Sequence, residues 1–376
     1  MSNELNNNVN KISRRSFARR SSLALAAGFL APVRPAASAP DSGERLAMFQ
    51  EVSPKGVVCL ICPNECTLKD GELSDCHNRI ARNSKLYTMA FGNPCAVNID
   101  PVEKKPLHHF MPGTTAFSIA TAGCNLACLN CQNWTISQTS PDKTKNLTLL
   151  PAEVVRQAAT GGCRSIAYTY SEPVTFYEYV YETAQLARER GIKNIMVSNG
   201  YINREPLQQL CRYIDAANID LKSFTDSTYL KLTGGRLQPI LDSLKTYRDE
   251  GVWLEITNLV VPGWTDKPDE IIQMCNWLAE NGFSDTPLHF SRFQPQYKLE
   301  HLPPTPAGIL VKAAETAKAE GLKYIYIGNL PGSGYDDTTC PSCGKKVVDR
   351  SGYRIVTQSL AGGKCSCGTK IPGIWS

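Results

Sequence analysis

Three cysteines, Cys124, Cys128 and Cys131, stand at C-x3-C-x2-C spacing within TAGCNLACLNCQNW at 121–134. Three thiolates gathered by one loop can hold three irons of a [4Fe–4S] cluster. Gln132, Asn133 and Trp134 follow where a fourth ligand would close it, so one iron stays open. S-adenosylmethionine (SAM) can fill that position through its amino and carboxylate groups. An electron from the reduced cluster then breaks a sulfur–carbon bond and yields a 5′-deoxyadenosyl radical, chemistry that the cofactors carry and the protein positions. The competing reading is zinc, which wants a fourth protein ligand for a closed site. His108 and His109, some fifteen residues upstream, are at hand to supply one.

Two further cysteine groups flank this loop. Cys59, Cys62, Cys66 and Cys76 form C-x2-C-x3-C-x9-C in a segment with too little apolar surface to fold without metal, and a second iron–sulfur cluster and a zinc are both open there. Cys340, Cys343, Cys365 and Cys367 form two turns, each followed directly by a glycine, Gly344 or Gly368, which lets the backbone curl under a metal. That pattern resembles a zinc ribbon or a rubredoxin-like knuckle, with zinc favoured over iron. The remaining cysteines, Cys95, Cys163, Cys211 and Cys275, are scattered and read as small core residues. Clusters at such short gaps, among 15 cysteines, read as metal ligands rather than as a disulfide framework.

The elements that must position these thiols alternate. Apolar, β-rich runs occur at 116–121, 165–170, 193–198, 216–222, 252–261, 286–293 and 323–328. Helical stretches lie between them at 151–160, 174–190, 204–213, 236–250, 268–281 and 305–320. Pro151, Pro268 and a Thr305 cap before Pro306 mark helix starts, and Gly161, Gly191, Gly251, Gly282 and Gly321 mark helix ends. Such an order implies parallel βαβ units, and six or seven of them suggest an α/β fold closed as a TIM-type barrel or partial barrel, with small cysteine-rich metal modules at both ends. In parallel barrels the working groups gather after the C-terminal strand ends. Those ends carry Glu172, Asn199, Asp220 with Lys222, Pro262-Gly263-Trp264, and then His289 and Arg292. A zwitterionic amino-acid cofactor with a ribose needs acceptors for its ammonium, a cation for its carboxylate and polar groups for its hydroxyls. Glu172, Asn199, Asp220 and Lys222 supply that set, although a helix cap for Glu172 and an Asp220–Lys222 ion pair are the plainer alternatives. Asn133 or Trp134 would shape the pocket.

The chain has 376 residues, 42 % hydrophobic and 20 % charged, the balance of an ordinary globular protein. Its formal charge of +5 sits entirely in residues 1–39, where six Lys and Arg residues face only Glu4. The remainder is near neutral, which speaks against nucleic acid as a partner. Residues 13–17, SRRSF, make a twin-arginine pattern before an apolar stretch at 23–31 and an A-x-A site ending at Ala39. That stretch is too short to span a bilayer, and no transmembrane span is expected in the mature chain. The expected organisation is a signal peptide over 1–39, a cysteine-rich segment over 40–112, a core barrel over 113–335 and a zinc-ribbon-like module over 336–376. A periplasmic location follows from the signal, yet SAM and low-potential electrons are cytoplasmic goods.

With these residues assembled, the chain resembles the radical SAM enzymes, in particular the AmmeMemoRadiSam-system group related to pyruvate formate-lyase activating enzyme. The resemblance rests on Cys62-Pro63, EKKPLHHF at 103–110, GCNLACLNCQNWTISQ at 123–138 and YTYSEP at 168–173. It continues through SNGY at 198–201, NIDLKSF at 218–224, VVPGWTD at 260–266, SRFQPQYK at 291–298 and YIGN at 326–329. It implies a partial (β/α)6 barrel, a [4Fe–4S] cluster on Cys124, Cys128 and Cys131, and SAM contacts by Glu172, Asp220 and Lys222. The activating enzymes carry an Asp–Thr pair for a monovalent cation where this chain has Val197 and Ser198, so that site is not expected here. The expected function is reductive SAM cleavage and hydrogen abstraction from an unidentified substrate, a protein or peptide among the candidates. A ferredoxin or flavodoxin would be the electron donor. The rival is an exported multi-metal electron-transfer or binding protein that never cleaves SAM.

Overall fold

The computed structural model describes residues 43–376, and the expected export signal lies outside them. One sheet of eight strands organises the chain. In chain order these are β1 (Ala96–Pro101), β2 (Thr115–Ala120), β3 (Ser165–Tyr168), β4 (Lys193–Ser198), β5 (Ala216–Asp220), β6 (Trp253–Val260), β7 (Leu288–Arg292) and β8 (Ile325–Gly328). Each strand pairs with its successor; β2 to β8 are parallel, and β1 runs antiparallel along the free edge of β2. Among the described residues no pairing joins β8 back to the other edge, so the sheet is open and not a closed barrel.

The parallel strands are legible as apolar runs because both of their faces are covered, as in β3, where all four residues are buried. The helices α1 (Pro151–Thr160), α2 (Tyr177–Glu189), α3 (Arg204–Cys211), α4 (Asp226–Thr233), α5 (Leu237–Asp249), α6 (Pro268–Glu280) and α7 (Ala307–Ala319) fill the connections. Their apolar stripes pack on the sheet: Val154, Val155 and Ala158 from α1, Val180, Ala184 and Ala187 from α2, and Ile240, Leu241 and Leu244 from α5 share one core with Ile166, Met196, Ile219 and Phe290. Pro151 and Pro268 open α1 and α6 in the first helical position, as expected.

Several expectations need correction. Thr305 does not cap α7; Pro306 precedes the helix, while the Thr305 hydroxyl is buried, donating to the Val260 carbonyl and accepting from Phe293 N–H. His289 lies near the start of β7 rather than at its end, so its ring serves the other end of the sheet. The helix α4 and the strand β1 were not foreseen.

The flanking cysteine-rich segments are small antiparallel sheets. Gln50–Ser53, Gly56–Cys59 and Thr67–Leu68 form one, Gly43–Leu46 with Arg79–Arg82 and Lys85–Phe91 another. Thr338–Thr339, Lys346–Ser351 and Arg354–Gln358 form the third, at the C-terminal side. No helix among the described residues is long and apolar enough to cross a membrane.

Candidate functional site

The chain leaving β2 turns at once into the three-cysteine loop. Gly123 makes the turn at φ +95°, where a side chain would be strained, and a Cβ there would sit 2.4 Å from the Cys76 carbonyl oxygen. The loop is pinned along its length. Ala127 N–H and Leu129 N–H donate to the carbonyls of Thr233 and Leu232 at the end of α4, and the Leu126 carbonyl accepts from the Gln138 amide. Lys298 N–H, from the SRFQPQYK stretch, donates to the Leu129 carbonyl. The unforeseen helix α4 is therefore a backstop for the cysteine loop.

Cys124, Cys128 and Cys131 are free thiols that gather on this loop. Their three sulfurs do not all lie within 4.8 Å of one another, a spacing too open for a common single ion. Ligands to separate irons of one cluster stand farther apart than ligands to one ion, because the metal–metal spacing is added between them. The donor set, three thiols and no fourth cysteine in the loop, fits a cluster with an open corner.

The other expected residues converge on the same rim. Glu172 caps the short 3-10 turn Pro173–Phe176 through Val174 N–H at 3.1 Å, and it also accepts from Ser198 Oγ at 2.7 Å and Asn199 N–H at 2.8 Å. Cap and site residue are thus the same group. Burial pushes its carboxyl up to about 7, against the pull of those donors and of the Lys222 ammonium. Asn199 turns its amide toward Cys124 Sγ at 3.7 Å and donates to Asn125 Oδ1 at 2.9 Å. Lys222 Nζ holds Asp220 Oδ2 at 2.8 Å, the ion pair anticipated as the plainer alternative, and both charges lie in electrostatic reach of Cys128 and Cys131. Glu172 stands in the same relation to Cys124. One carboxylate therefore flanks one side of the thiol set, and a carboxylate–ammonium pair the other.

Tyr170 is a contributor that sequence reasoning missed. It adopts φ +65°, an uncommon conformation for a bulky residue, at the turn that delivers Glu172. Its hydroxyl donates to Asp100, its carbonyl accepts from Asn133 Nδ2 at 2.7 Å, and Lys105 Nζ lies 4.5 Å from its ring centre while bonding Asp100 at 2.7 Å. The EKKPLHHF segment and β1 thereby brace the Glu172 turn. Trp134 is 40 % exposed and stacks on Tyr297 at 5.2 Å, at the edge of the cysteine loop.

Two other groups bear on metal binding. Cys340, Cys343, Cys365 and Cys367 bring all four sulfurs within 4.8 Å of one another, with 3.6 Å from Cys340 to Cys367 and 3.7 Å from Cys343 to Cys365. Those separations far exceed a disulfide bond and match the edge of a tetrahedron of ligands about 2.3 Å from one ion. His108, Glu255 and His289 also cluster, at the opposite end of the sheet. Glu255, however, already accepts from His108 N–H, His109 N–H, Trp253 Nε1 and His289 Nε2, which fills its acceptor positions. It is a buried staple. His109 extends it: Nδ1 donates to the Pro372 carbonyl at 2.7 Å, and Nε2 accepts from the Tyr326 hydroxyl at 2.6 Å.

Residues 118–277 match the Radical SAM superfamily. The chain is 44 % identical over 331 residues to the uncharacterized protein MJ0808 of Methanocaldococcus jannaschii, covering 87 % of this chain and 98 % of that protein. It is 26 % identical over 166 residues to the pyruvate formate-lyase 1-activating enzyme of Escherichia coli K12, covering 43 % of this chain and 67 % of the enzyme. Among solved structures, Streptococcus suis SuiB bound to precursor peptide SuiA aligns at TM-score 0.45 and 16 % identity, over 62 % of this chain and 52 % of that one. The chain carries a radical SAM domain at 118–277, with homology to the pyruvate formate-lyase activating enzymes.

Proposed function

We propose that this enzyme reductively cleaves SAM at a [4Fe–4S] cluster held by Cys124, Cys128 and Cys131 and abstracts hydrogen from a substrate of protein or peptide class. The observation that carries the reading is the convergence of a three-thiol loop with Glu172, Asn199, Asp220 and Lys222 on one rim of the sheet. When bound, the cluster and SAM supply the electron transfer and the carbon–sulfur bond cleavage. The chain's own residues bind and orient. Glu172, fixed by three donors, offers a carboxylate to the SAM ammonium, and a bound cation would draw its raised carboxyl back to the ionised form. Lys222 would offer its ammonium to the SAM carboxylate, and Asp220 and Asn199 would supply polar groups for its ribose hydroxyls. Asn133 and Tyr170 hold the loop and the Glu172 turn together.

A zinc ion in the C-terminal four-thiol set is supported by its tetrahedral spacing and by the closed donor set. A reduced ferredoxin- or flavodoxin-type carrier would supply electrons. The twin-arginine pattern at 13–17 supports export of the folded, metal-loaded chain.

The test is 5′-deoxyadenosine formation by the full chain, reconstituted anaerobically with iron and sulfide and given SAM and a strong reductant, with Cys128→Ala as control. Product from the parent and none from the variant is the expected result. No product from a parent shown to carry a complete four-iron cluster would overturn the reading in favour of an electron-transfer protein.

A further inference from the structure

The four N-terminal cysteines, like those of the three-cysteine loop, do not close on one point as the C-terminal set does. Cys59 ends the strand Gly56–Cys59, Cys62 begins a turn closed by Glu65 N–H on its carbonyl at 3.1 Å, and the Cys66 carbonyl accepts from Cys59 N–H at 3.0 Å. Cys76 joins from a second loop, its sulfur 3.1 Å from Ser74 Oγ. All four are free thiols, three buried and Cys66 half-buried. Cys62 lies in electrostatic reach of Cys59 and Cys76, and Cys66 in reach of Cys76. Yet among the described residues no three of these sulfurs lie within 4.8 Å of one another, whereas all four C-terminal sulfurs do. Four thiols in electrostatic reach of one another, with no three drawn to one point as a single bound ion requires, make an all-sulfur donor set open to a cluster.

This set touches the three-cysteine loop directly. Gly123 lets the Cys76 carbonyl approach to where a Cβ would stand 2.4 Å away. Asn78 Nδ2 donates to the Ala122 carbonyl at 2.6 Å, and Asn64 Nδ2 to the Asn125 carbonyl at 3.0 Å. The Asn125 amide lies against the Cys62 thiol. Its oxygen accepts from Asn199 Nδ2 at 2.9 Å, and that same Nδ2 stands 3.7 Å from Cys124 Sγ. Cys62, Asn125, Asn199 and Cys124 thus form an unbroken polar path between the two thiol sets. The set also has an inside and an outside: Cys62 faces Asn125, whereas Cys66 is flanked by exposed Glu65 and Thr67 and contacts exposed Asp75.

We propose that Cys59, Cys62, Cys66 and Cys76 hold a second iron–sulfur cluster that passes single electrons inward, from a carrier docking at the Cys66 side to the cluster on Cys124, Cys128 and Cys131. The proposal rests on the radical SAM reading above. In each transfer the outer cluster is oxidised by one electron and the inner one reduced by one electron. The external iron–sulfur or flavin carrier then re-reduces the outer cluster, and no bond forms or breaks in the relay.

The test measures iron, acid-labile sulfide and zinc in the full chain after anaerobic reconstitution. The parent is compared with Cys62→Ser/Cys76→Ser and with Cys124→Ser/Cys128→Ser. Each double variant is expected to lose half of the parent's iron and sulfide and none of its zinc. An N-terminal variant that keeps its iron and loses zinc overturns the second cluster and leaves the radical SAM reading intact. A Cys124→Ser/Cys128→Ser variant that keeps all its iron sinks that reading itself. Should the N-terminal variant not fold, the fully reduced parent decides by electron paramagnetic resonance. Two clusters on touching loops broaden and split each other's signals, and a single unsplit signal integrating to one spin overturns the proposal. For the relay, Asn125→Leu is expected to retain full iron but to slow inner-cluster reduction by a reduced carrier protein tenfold or more. An unchanged rate overturns the path through Asn125.

Discussion

Arg79 and Glu178 meet in a two-pronged ion pair, Nη1 to Oε1 at 3.0 Å and Nη2 to Oε2 at 3.1 Å, with side chains only 1 % and 4 % exposed. Glu178 also accepts Met48 N–H, so this pair ties the N-terminal cysteine segment to α2. Removing one partner from a buried pair strands the other charge and costs about 3–5 kcal/mol. Arg79→Met is therefore expected to lower unfolding stability by that order in urea titration. Arg79→Met/Glu178→Leu should recover most of the loss, and a double variant as unstable as the sum of the singles would contradict the account. Glu172 carries a different burden, since its oxygens face the donors of Ser198, Asn199 and Val174. Glu172→Gln turns an N–H2 toward one of those donors, a mismatch of about 1–3 kcal/mol. It also removes the charge proposed to meet the SAM ammonium. The melting midpoint should fall, and SAM affinity of the reconstituted enzyme, read by calorimetry, should drop about tenfold, near 1.4 kcal/mol. A lowered midpoint with unaltered affinity would reduce Glu172 to a helix cap.

Among the elements, what was legible follows burial. The seven parallel strands announce themselves as apolar runs because helices or the barrel interior cover both faces. β1 was not legible: Asn98, Asp100 and Pro101 read as loop, and a polar strand containing proline is tolerated only because it lies at the sheet's edge. α4 was hidden for another reason. Asp-Ser-Thr-Tyr-Leu-Lys-Leu-Thr has weak intrinsic helix preference and is held by tertiary contacts, with Tyr229 and Leu232 buried and its last carbonyls accepting from the cysteine loop. The rim residues were legible from their place after successive strands. Their mutual bonds, and the Tyr170–Asp100–Lys105 brace, were not, since they join positions up to seventy residues apart. Gly123 shows how tightly two elements depend on one atom. Gly123→Ala would place a methyl group against the Cys76 carbonyl, backbone that cannot rotate aside, at a φ already unfavourable for alanine. A destabilisation of about 2–3 kcal/mol is expected. Hydrogen exchange should show it as faster opening of both 59–80 and 122–131, and a loss confined to one loop would mean that the two do not depend on each other.

For the whole molecule, chemistry and bracing occupy opposite ends of the sheet. The thiol loop, Glu172 and the Asp220–Lys222 pair lie at the C-terminal strand ends, whereas the C-terminal ribbon joins through residues at the N-terminal ends. Arg350 Nη2 donates to the His108 carbonyl at 2.6 Å, Met111 N–H donates to the Ile374 carbonyl at 2.5 Å, and the Trp375 ring lies 5.0 Å from that of His109. The ribbon's own interior is small, with Cys340, Val347, Cys365 and Ile371 buried against Tyr324 and Tyr326. With so few apolar groups, the metal proposed for its four thiols would be the main source of its order. Cys343→Ser/Cys367→Ser, or prolonged chelation, should therefore open 338–371 to limited proteolysis and change Trp375 fluorescence as its contact with His109 is lost. The barrel's principal unfolding transition should persist. Because the ribbon holds the EKKPLHHF segment at His108 and His109, while the Glu172 turn is braced by Lys105 and Asp100 ahead of them, 5′-deoxyadenosine formation by the surviving folded enzyme should stay within about twofold of the parent. A full loss of SAM cleavage with the barrel intact would instead assign the ribbon a place in the reaction, and the separation of bracing from chemistry would fall with it.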